Sequence, residues 1–76
     1  MVETIDDVDA FVGARIREIR RGQTMTQMDM AHILGVSQQQ VQMNETGKNR
    51  IVVSRLWRIA EVLGVPVAAL FEGLKT

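Results

Sequence analysis

The chain has 76 residues, enough for one small domain, and 46% of them are hydrophobic, which is too many for a disordered chain. It has no cysteine and a single histidine, so disulfides are excluded and neither a metal site nor a cofactor is predicted. No apolar run approaches the ~18 residues of a membrane span, and the acidic N-terminus is unlike a signal peptide, so we expect a cytoplasmic protein without membrane contact.

Charge is unevenly distributed along the chain, although nine basic and nine acidic residues give a formal net charge of zero. Residues 1–10 carry four acidic residues and no basic one, and we expect residues 1–8 to form a flexible acidic tail before a domain over residues 9–74. Residues 11–58 carry eight basic and three acidic residues, a net charge of +5. Such local basicity suits a polyanion, and the alternative is a helix surface that is basic for solubility alone.

Apolar residues recur at helical spacing and strand signals are poor, so the sequence predicts an all-α domain with five helices. The first helix is predicted from an Asp9 cap to about Arg21, with Gly22 ending it. The helices that follow are predicted at about 27–34, 38–45, 53–63 and 66–72.

Residues 24–50, TMTQMDMAHILGVSQQQVQMNETGKNR, carry the most informative pattern. Thr26 is a strong N-cap for the second helix, and Asp29 follows three residues later as in a capping box. Gly35 permits a backbone with positive φ at a three-residue turn, and Ser37 caps the third helix. Two helices joined by so short a turn match the helix-turn-helix pattern.

This segment resembles the Xre/Cro-type, phage-repressor-like helix-turn-helix proteins, and the resemblance extends from about residue 11 to residue 73. It is carried by RIREIR in the first helix, TQ opening the second, A-x-x-LGVS through the turn, QQQVQ in the third helix, NETGKNR after it, and RLWRIAEVLGVP in the fourth helix and its following turn. The resemblance implies a compact five-helix bundle of the phage-repressor-like DNA-binding type, in which helices 2 and 3 form the helix-turn-helix.

The third helix occupies the recognition position of that family. With Val41 directed inward against the second helix, four residues point away from the core, namely Gln38, Gln39, Gln42 and Met43. Glutamine can bond bidentately to adenine N6 and N7, and methionine can pack on a thymine methyl, so we assign these four to base contacts. Glutamine is also a common solvated helix former, and only the recognition position favours base readout over that alternative.

A second group of residues is assigned to the DNA backbone. Thr26 and Gln27 begin the second helix, where free backbone N–H groups and the helix dipole favour a phosphate. The resemblance also implies that Gln27 braces the third helix, and plain capping by Thr26 is compatible with either role. The residues assigned to the DNA backbone are Thr26, Gln27, Ser37, Gln40, Lys48, Asn49 and Arg50.

The resemblance implies an ion pair and a dimer. Arg20 and Glu45 match family positions that pair the first helix with the end of the third. Family members commonly dimerise through the C-terminal region, where this chain has more apolar groups than so small a core can hide. The residues assigned to the dimer interface are Val67, Leu70, Phe71 and Leu74.

Several positions depart from the family pattern. Asn44 stands where an aromatic or aliphatic residue is usual, so the back of the third helix is expected to pack less well. Val52 stands where an N-cap serine often precedes the fourth helix. Met28 and Ile33 fall at commonly polar positions and either extend the core or form a small partner patch, and Trp57 is expected to be structural or to lie in an interface.

Together these features predict a sequence-specific DNA-binding transcriptional regulator, a homodimeric repressor that reads a two-fold operator in the major groove through the third helix. Family members that activate transcription often use an acidic outer face of the second helix, which here offers little beyond Asp29. The alternative is an antitoxin-like or adaptor module that uses the same fold to bind a protein partner. An enzyme is not predicted, because no nucleophile–base or paired-carboxylate constellation is present.

Overall fold

The fold is built from helices in the part of the chain that the computed structural model describes, residues 5–75 with side chains from residue 8 onward. Its elements are α1 (Ile5–Gly22), α2 (Gln27–Leu34), α3 (Gln38–Thr46), α4 (Val53–Leu63) and a 3-10 helix, Val67–Phe71. The predicted all-α class is confirmed, and α2, α3 and α4 lie where the sequence predicts them. No helix among the described residues is long and apolar enough to cross a membrane.

The predicted count of five helices is not confirmed, because the fifth segment forms a 3-10 helix instead of an α-helix. The Ala69 N–H donates to the Pro66 carbonyl at 2.9 Å, and the Leu74 N–H donates to the Phe71 carbonyl at 3.0 Å. Pro66 is extended (ψ 150°) and Gly73 has φ +92°, so the chain turns at both ends of a five-residue segment. The tighter i→i+3 pattern suits so short a helix.

The first helix begins at Ile5, four residues earlier than the predicted Asp9 cap, so Asp9 lies inside α1. Residues 5–8 of the predicted flexible tail are helical, and residues 1–4 lie outside the described part of the chain.

Helix α1 approaches α3 closely at Gly13, a position for which the sequence predicted no role. A Cβ atom at Gly13 would lie 2.7 Å from the Glu45 carbonyl oxygen and closer still to that of Asn44. Only a residue without a side chain allows this approach. Asn44 is itself buried, so the amide occupies the expected apolar position at the back of α3.

One hydrophobic core lies between the helices, and Leu70 brings the 3-10 helix into it. Leu70 has no exposed surface, which removes it from the predicted dimer interface because its side chain already packs within the chain. The helical spacing placed Leu70 on an apolar helix face. It could not indicate whether that face packs against the core or against a second copy of the chain. The buried apolar residues are Val12, Ile16, Met30, Ala31, Val41, Ile59, Ala60, Leu63 and Leu70.

Candidate nucleic-acid interface

Two side-chain caps and a left-handed glycine set where α2 begins, where it ends and where α3 begins. The Thr26 hydroxyl accepts from the Asp29 N–H and the Asp29 carboxylate accepts from the Thr26 N–H, both at 3.0 Å, which completes the predicted capping box. These bonds, with the backbone N–H contributing most, hold the pKa of Asp29 below its ordinary value. Gly35 has φ +74°, a left-handed conformation that favours glycine. The space around it is open, so the backbone conformation, and not close packing, explains the glycine. The Ser37 hydroxyl then accepts from the Gln40 N–H at 3.0 Å and caps α3.

The solvent face of α3 presents the predicted base-contacting glutamines. Gln38, Gln39 and Gln42 are exposed, and Val41 is buried beneath them as predicted. Met43 differs from the other three, because it is half-buried and its sulfur accepts a long contact (3.9 Å) from the Asn49 amide. The free hydrogen-bonding capacity of this face therefore lies in three amides.

A buried hydrogen-bond network anchors the C-terminal end of α3. Arg20 donates to Glu45 through Nε at 2.6 Å and through a terminal nitrogen at 3.0 Å, with side chains only 7% and 1% exposed. The Gln27 amide also donates to Glu45 at 3.0 Å, and Arg20 donates to the Met25 carbonyl at 2.6 Å. The predicted ion pair and the bracing of α3 by Gln27 are therefore present in one network that joins α1, α2 and α3.

A shallow crevice of about 500 Å3 borders α3 on the side of α2. It brings Thr26 and Gln27, at the start of α2, beside Gln38, at the start of α3. This grouping unites two residues predicted to contact the DNA backbone with one predicted to contact a base. Its lining residues are Arg20, Arg21, Thr24, Met25, Thr26, Gln27, Met28 and Gln38.

Past the C-terminal end of α3, a basic loop carries the remaining predicted backbone contacts. Lys48 and Arg50 are exposed, and Asn49 is half-buried against Met43. Gln40 is half-buried on the flank of α3, where it lines a second crevice together with Arg50. The loop therefore presents two cations next to the recognition helix.

Two features of the loop that leads into α2 were not predicted from the sequence. Thr24 adopts φ +56°, although a branched side chain disfavours this conformation, and Gly22 only ends the helix before it. The Gln23 amide donates to the Leu63 carbonyl at 2.7 Å and ties the loop to the end of α4. Both features depend on tertiary placement, and the residue types alone gave no signal for them.

A family model described as Helix-turn-helix matches residues 16–70. The chain belongs to this helix-turn-helix family. It is 46% identical over 72 residues to the transcriptional regulator in the ATPase CF(0) region of Rhodospirillum rubrum, covering 95% of this chain and 67% of that relative. Several other HTH-type transcriptional regulators match over about half of their own length, as the y4aM protein of Sinorhizobium fredii does (43% identity, 47% of its length).

Solved structures have the same fold as this helix-turn-helix protein. The restriction-modification controller protein C.AhdI from Aeromonas hydrophila matches with a TM-score of 0.79 and 25% identity, over 86% of this chain and 97% of that one. The DNA-binding domain of BldD matches with a TM-score of 0.79 and 26% identity, over 88% and 97% respectively. Together with the family model, they support DNA binding and transcription regulation as the general class of function.

Proposed function

We propose that this helix-turn-helix protein binds duplex DNA by placing α3 in the major groove, with Gln38, Gln39 and Gln42 reading base edges. The observation that carries the proposal is the row of three exposed amides on a helix fixed by the buried Arg20–Glu45–Gln27 network. An immobilised helix holds its side chains in register with the base edges, which direct readout requires. Met43 is proposed as an apolar neighbour that reaches a thymine methyl from its half-buried position.

The DNA backbone is proposed to contact the rim of the same surface. The start of α2 offers free N–H groups, the Thr26 hydroxyl and the Gln27 amide, and the loop after α3 offers Lys48 and Arg50. Such contacts set position and salt dependence and carry no sequence information. Ser37, Gln40 and Asn49 complete the proposed set.

A symmetric dimer is proposed through the C-terminal segment. With Leu70 assigned to the core, the proposed interface consists of Val67, Phe71 and Leu74, and Phe71 is 36% exposed. A second copy would supply the apolar cover that a domain of this size needs. Two recognition helices would then meet successive major grooves, ~34 Å apart on the duplex.

Repression by occupation of a promoter is the regulatory action that we propose, in the cytoplasm at the nucleoid. The outer surface of α2 offers one carboxylate, Asp29, and the cap with Thr26 already engages it. A surface with so little free negative charge favours repression over activation.

A protein-interaction module is the second candidate, because two large apolar side chains are well exposed. Met28 is 66% exposed on α2 and Trp57 is 62% exposed on α4. An adaptor would bind duplex DNA weakly and with little dependence on salt. A steep salt dependence on nonspecific duplex distinguishes the DNA-binding function from this one.

Selection of bound sites from random duplex DNA with the purified protein tests the proposed function. We expect a two-fold consensus whose half-sites are ~10 base pairs apart, centre to centre. Absence of any enriched sequence would overturn sequence-specific recognition and favour the interaction module.

A further inference from the structure

A small crevice of about 180 Å3 between α3 and the start of α4 concentrates positive charge. Arg50 and Arg55 line it together with the half-buried Gln40. No acidic side chain lines the crevice, and neither arginine forms an ion pair among the described residues. The chain therefore brings two cations together here without supplying a counter-charge.

The positive charge of Arg55 is unfavourable to α4, the helix that carries it. Arg55 is the third residue of α4, where the helix dipole favours an anion and a cation is unfavourable. The first turn of α4 contains no acidic residue, and Val52 provides no side-chain cap that would offset the charge. The arginine is therefore unfavourable to its own helix end, and a bound anion would offset that cost.

The geometry of α3 places this crevice on the flank opposite the crevice that Thr26, Gln27 and Gln38 line, which we call the Thr26 crevice. Gln38 lines the crevice beside α2, and Gln40 lines the crevice beside α4. Two residues correspond to ~200° around an α-helix, so these side chains leave α3 on opposite sides, with the exposed Gln39 and Gln42 between them. A helix in the ~12 Å major groove has a phosphate backbone on each side, so with α3 in the groove each crevice would face one strand.

We propose that Arg55 binds a DNA phosphate together with Arg50 and Gln40, on the strand that lies along the α4 flank of α3. The planar guanidinium can donate two N–H groups to the oxygens of one phosphate, and the Gln40 amide can donate a third. This proposal rests on the proposed function and adds a residue of α4 to the DNA contacts. With the Thr26 crevice on the opposite flank, it would hold α3 between the two strands.

The first test compares Arg55→Gln with the matched control Arg58→Gln, which lies one turn further along α4, outside the crevice and paired with Glu61. Binding to a random duplex is measured between 0.05 and 0.3 M salt, which is about the range that resolves the slope. Arg55→Gln should flatten the salt slope by ~0.9 and weaken binding about eightfold at ~0.1 M salt, whereas Arg58→Gln should match the wild type. Equal slopes for Arg55→Gln and the wild type would overturn the proposal. A wild-type protein without salt-dependent DNA binding would instead overturn the proposed function.

The second test identifies the phosphate itself. Single methylphosphonates, which are uncharged, are placed one at a time along each strand of a selected site. At one phosphate beside each half-site, the substitution should weaken the wild type more than it weakens Arg55→Gln, in which only Arg50 and Gln40 still contact that phosphate. Losses that simply add at every phosphate would contradict a direct contact by Arg55. Nitrogen-15 spectra of the Arg55 Nε should shift with duplex, and a shift with inorganic phosphate alone would show a free-anion site instead.

Discussion

Thr24 is the most strained residue of the proposed DNA-binding surface. It has φ +56°, a conformation that costs a β-branched residue about 1–3 kcal/mol. The residue lies beside Thr26 and Gln38 in the crevice on the α2 side of α3. Its backbone also leads into Met25, whose carbonyl accepts from Arg20 at 2.6 Å. The buried network around Arg20 therefore holds the loop in a conformation with positive φ at Thr24, which threonine disfavours.

Replacing Thr24 with glycine should raise the free energy of unfolding by about 1 kcal/mol, net of the entropy that glycine adds to the unfolded chain. Glycine adopts positive φ without steric cost, so the strain is removed. Urea unfolding followed by circular dichroism measures the change. Thr24→Val is the control, because it keeps the branched side chain and should give no gain. A glycine variant that is less stable than the wild type would show that the side chain contributes more than the backbone costs.

At the scale of helices, the approach of α1 to α3 makes Gly13 and Gly22 a matched pair. Gly13→Ala places a methyl group against backbone oxygens of α3 and should lower the free energy of unfolding by about 1–3 kcal/mol. Gly22→Ala lies at the end of the same helix, where the added methyl meets nothing within 4 Å beyond its chain neighbours and the adjacent helix backbone, and should raise it by about 0.5–1 kcal/mol. Thermal or urea unfolding of the two variants checks both signs. Equal effects at the two sites would show that α1 moves away from α3 without cost.

Removing one partner of the ion pair between α1 and α3 should lower the free energy of unfolding much more than removing both partners. Arg20→Met leaves the buried Glu45 carboxylate with only the Gln27 amide and should cost about 3–5 kcal/mol in urea unfolding. The double variant Arg20→Met with Glu45→Met removes both charges and should recover most of that loss. A double variant no more stable than Arg20→Met would mean that the arginine contributes mainly through its bond to Met25.

Sequence reasoning succeeded where structure depends on neighbouring residues and failed where it depends on distant ones. The caps at Thr26 and Ser37 and the left-handed Gly35 were predictable, because each acts within one turn of its own position. Gly13 and Leu70 were not, because one is fixed by the α3 backbone and the other by the core. The exposed glutamines followed from the helical period once Val41 was placed inward, and the Arg20–Glu45 pair followed from family resemblance.

At the scale of the whole molecule, a net charge of zero coexists with a basic middle section and an apolar C-terminal segment. DNA binding by such a chain depends on where its charges lie and on how many copies act together. A dimer doubles both the basic surface and the number of recognition helices on one operator. The proposed dimerisation would therefore join the apolar C-terminal segment to the proposed function.

Leu74→Asp should weaken the dimer by at least about tenfold, because it places a charge in the proposed apolar interface. Sedimentation equilibrium measures the dimer, and circular dichroism verifies the fold, since Leu74 is half-buried within the chain itself. Lys75→Gln changes the net charge equally at the exposed neighbouring position and should leave the dimer unchanged. A Leu74→Asp protein that stays dimeric and binds a two-fold site normally would rule out this interface.

Base readout by α3 is tested most directly by measuring the affinities of three variants for a selected site and for random duplex. The variants are Gln38→Ala, Gln39→Ala and Lys48→Ala. Each glutamine variant should lose about 1–3 kcal/mol on the selected site and very little on random DNA, because the backbone contacts remain. Lys48→Ala should weaken both by a similar factor and flatten the salt slope by ~0.9. If both glutamine variants keep the wild-type ratio of the two affinities, α3 does not read the bases through these amides and the central claim is contradicted.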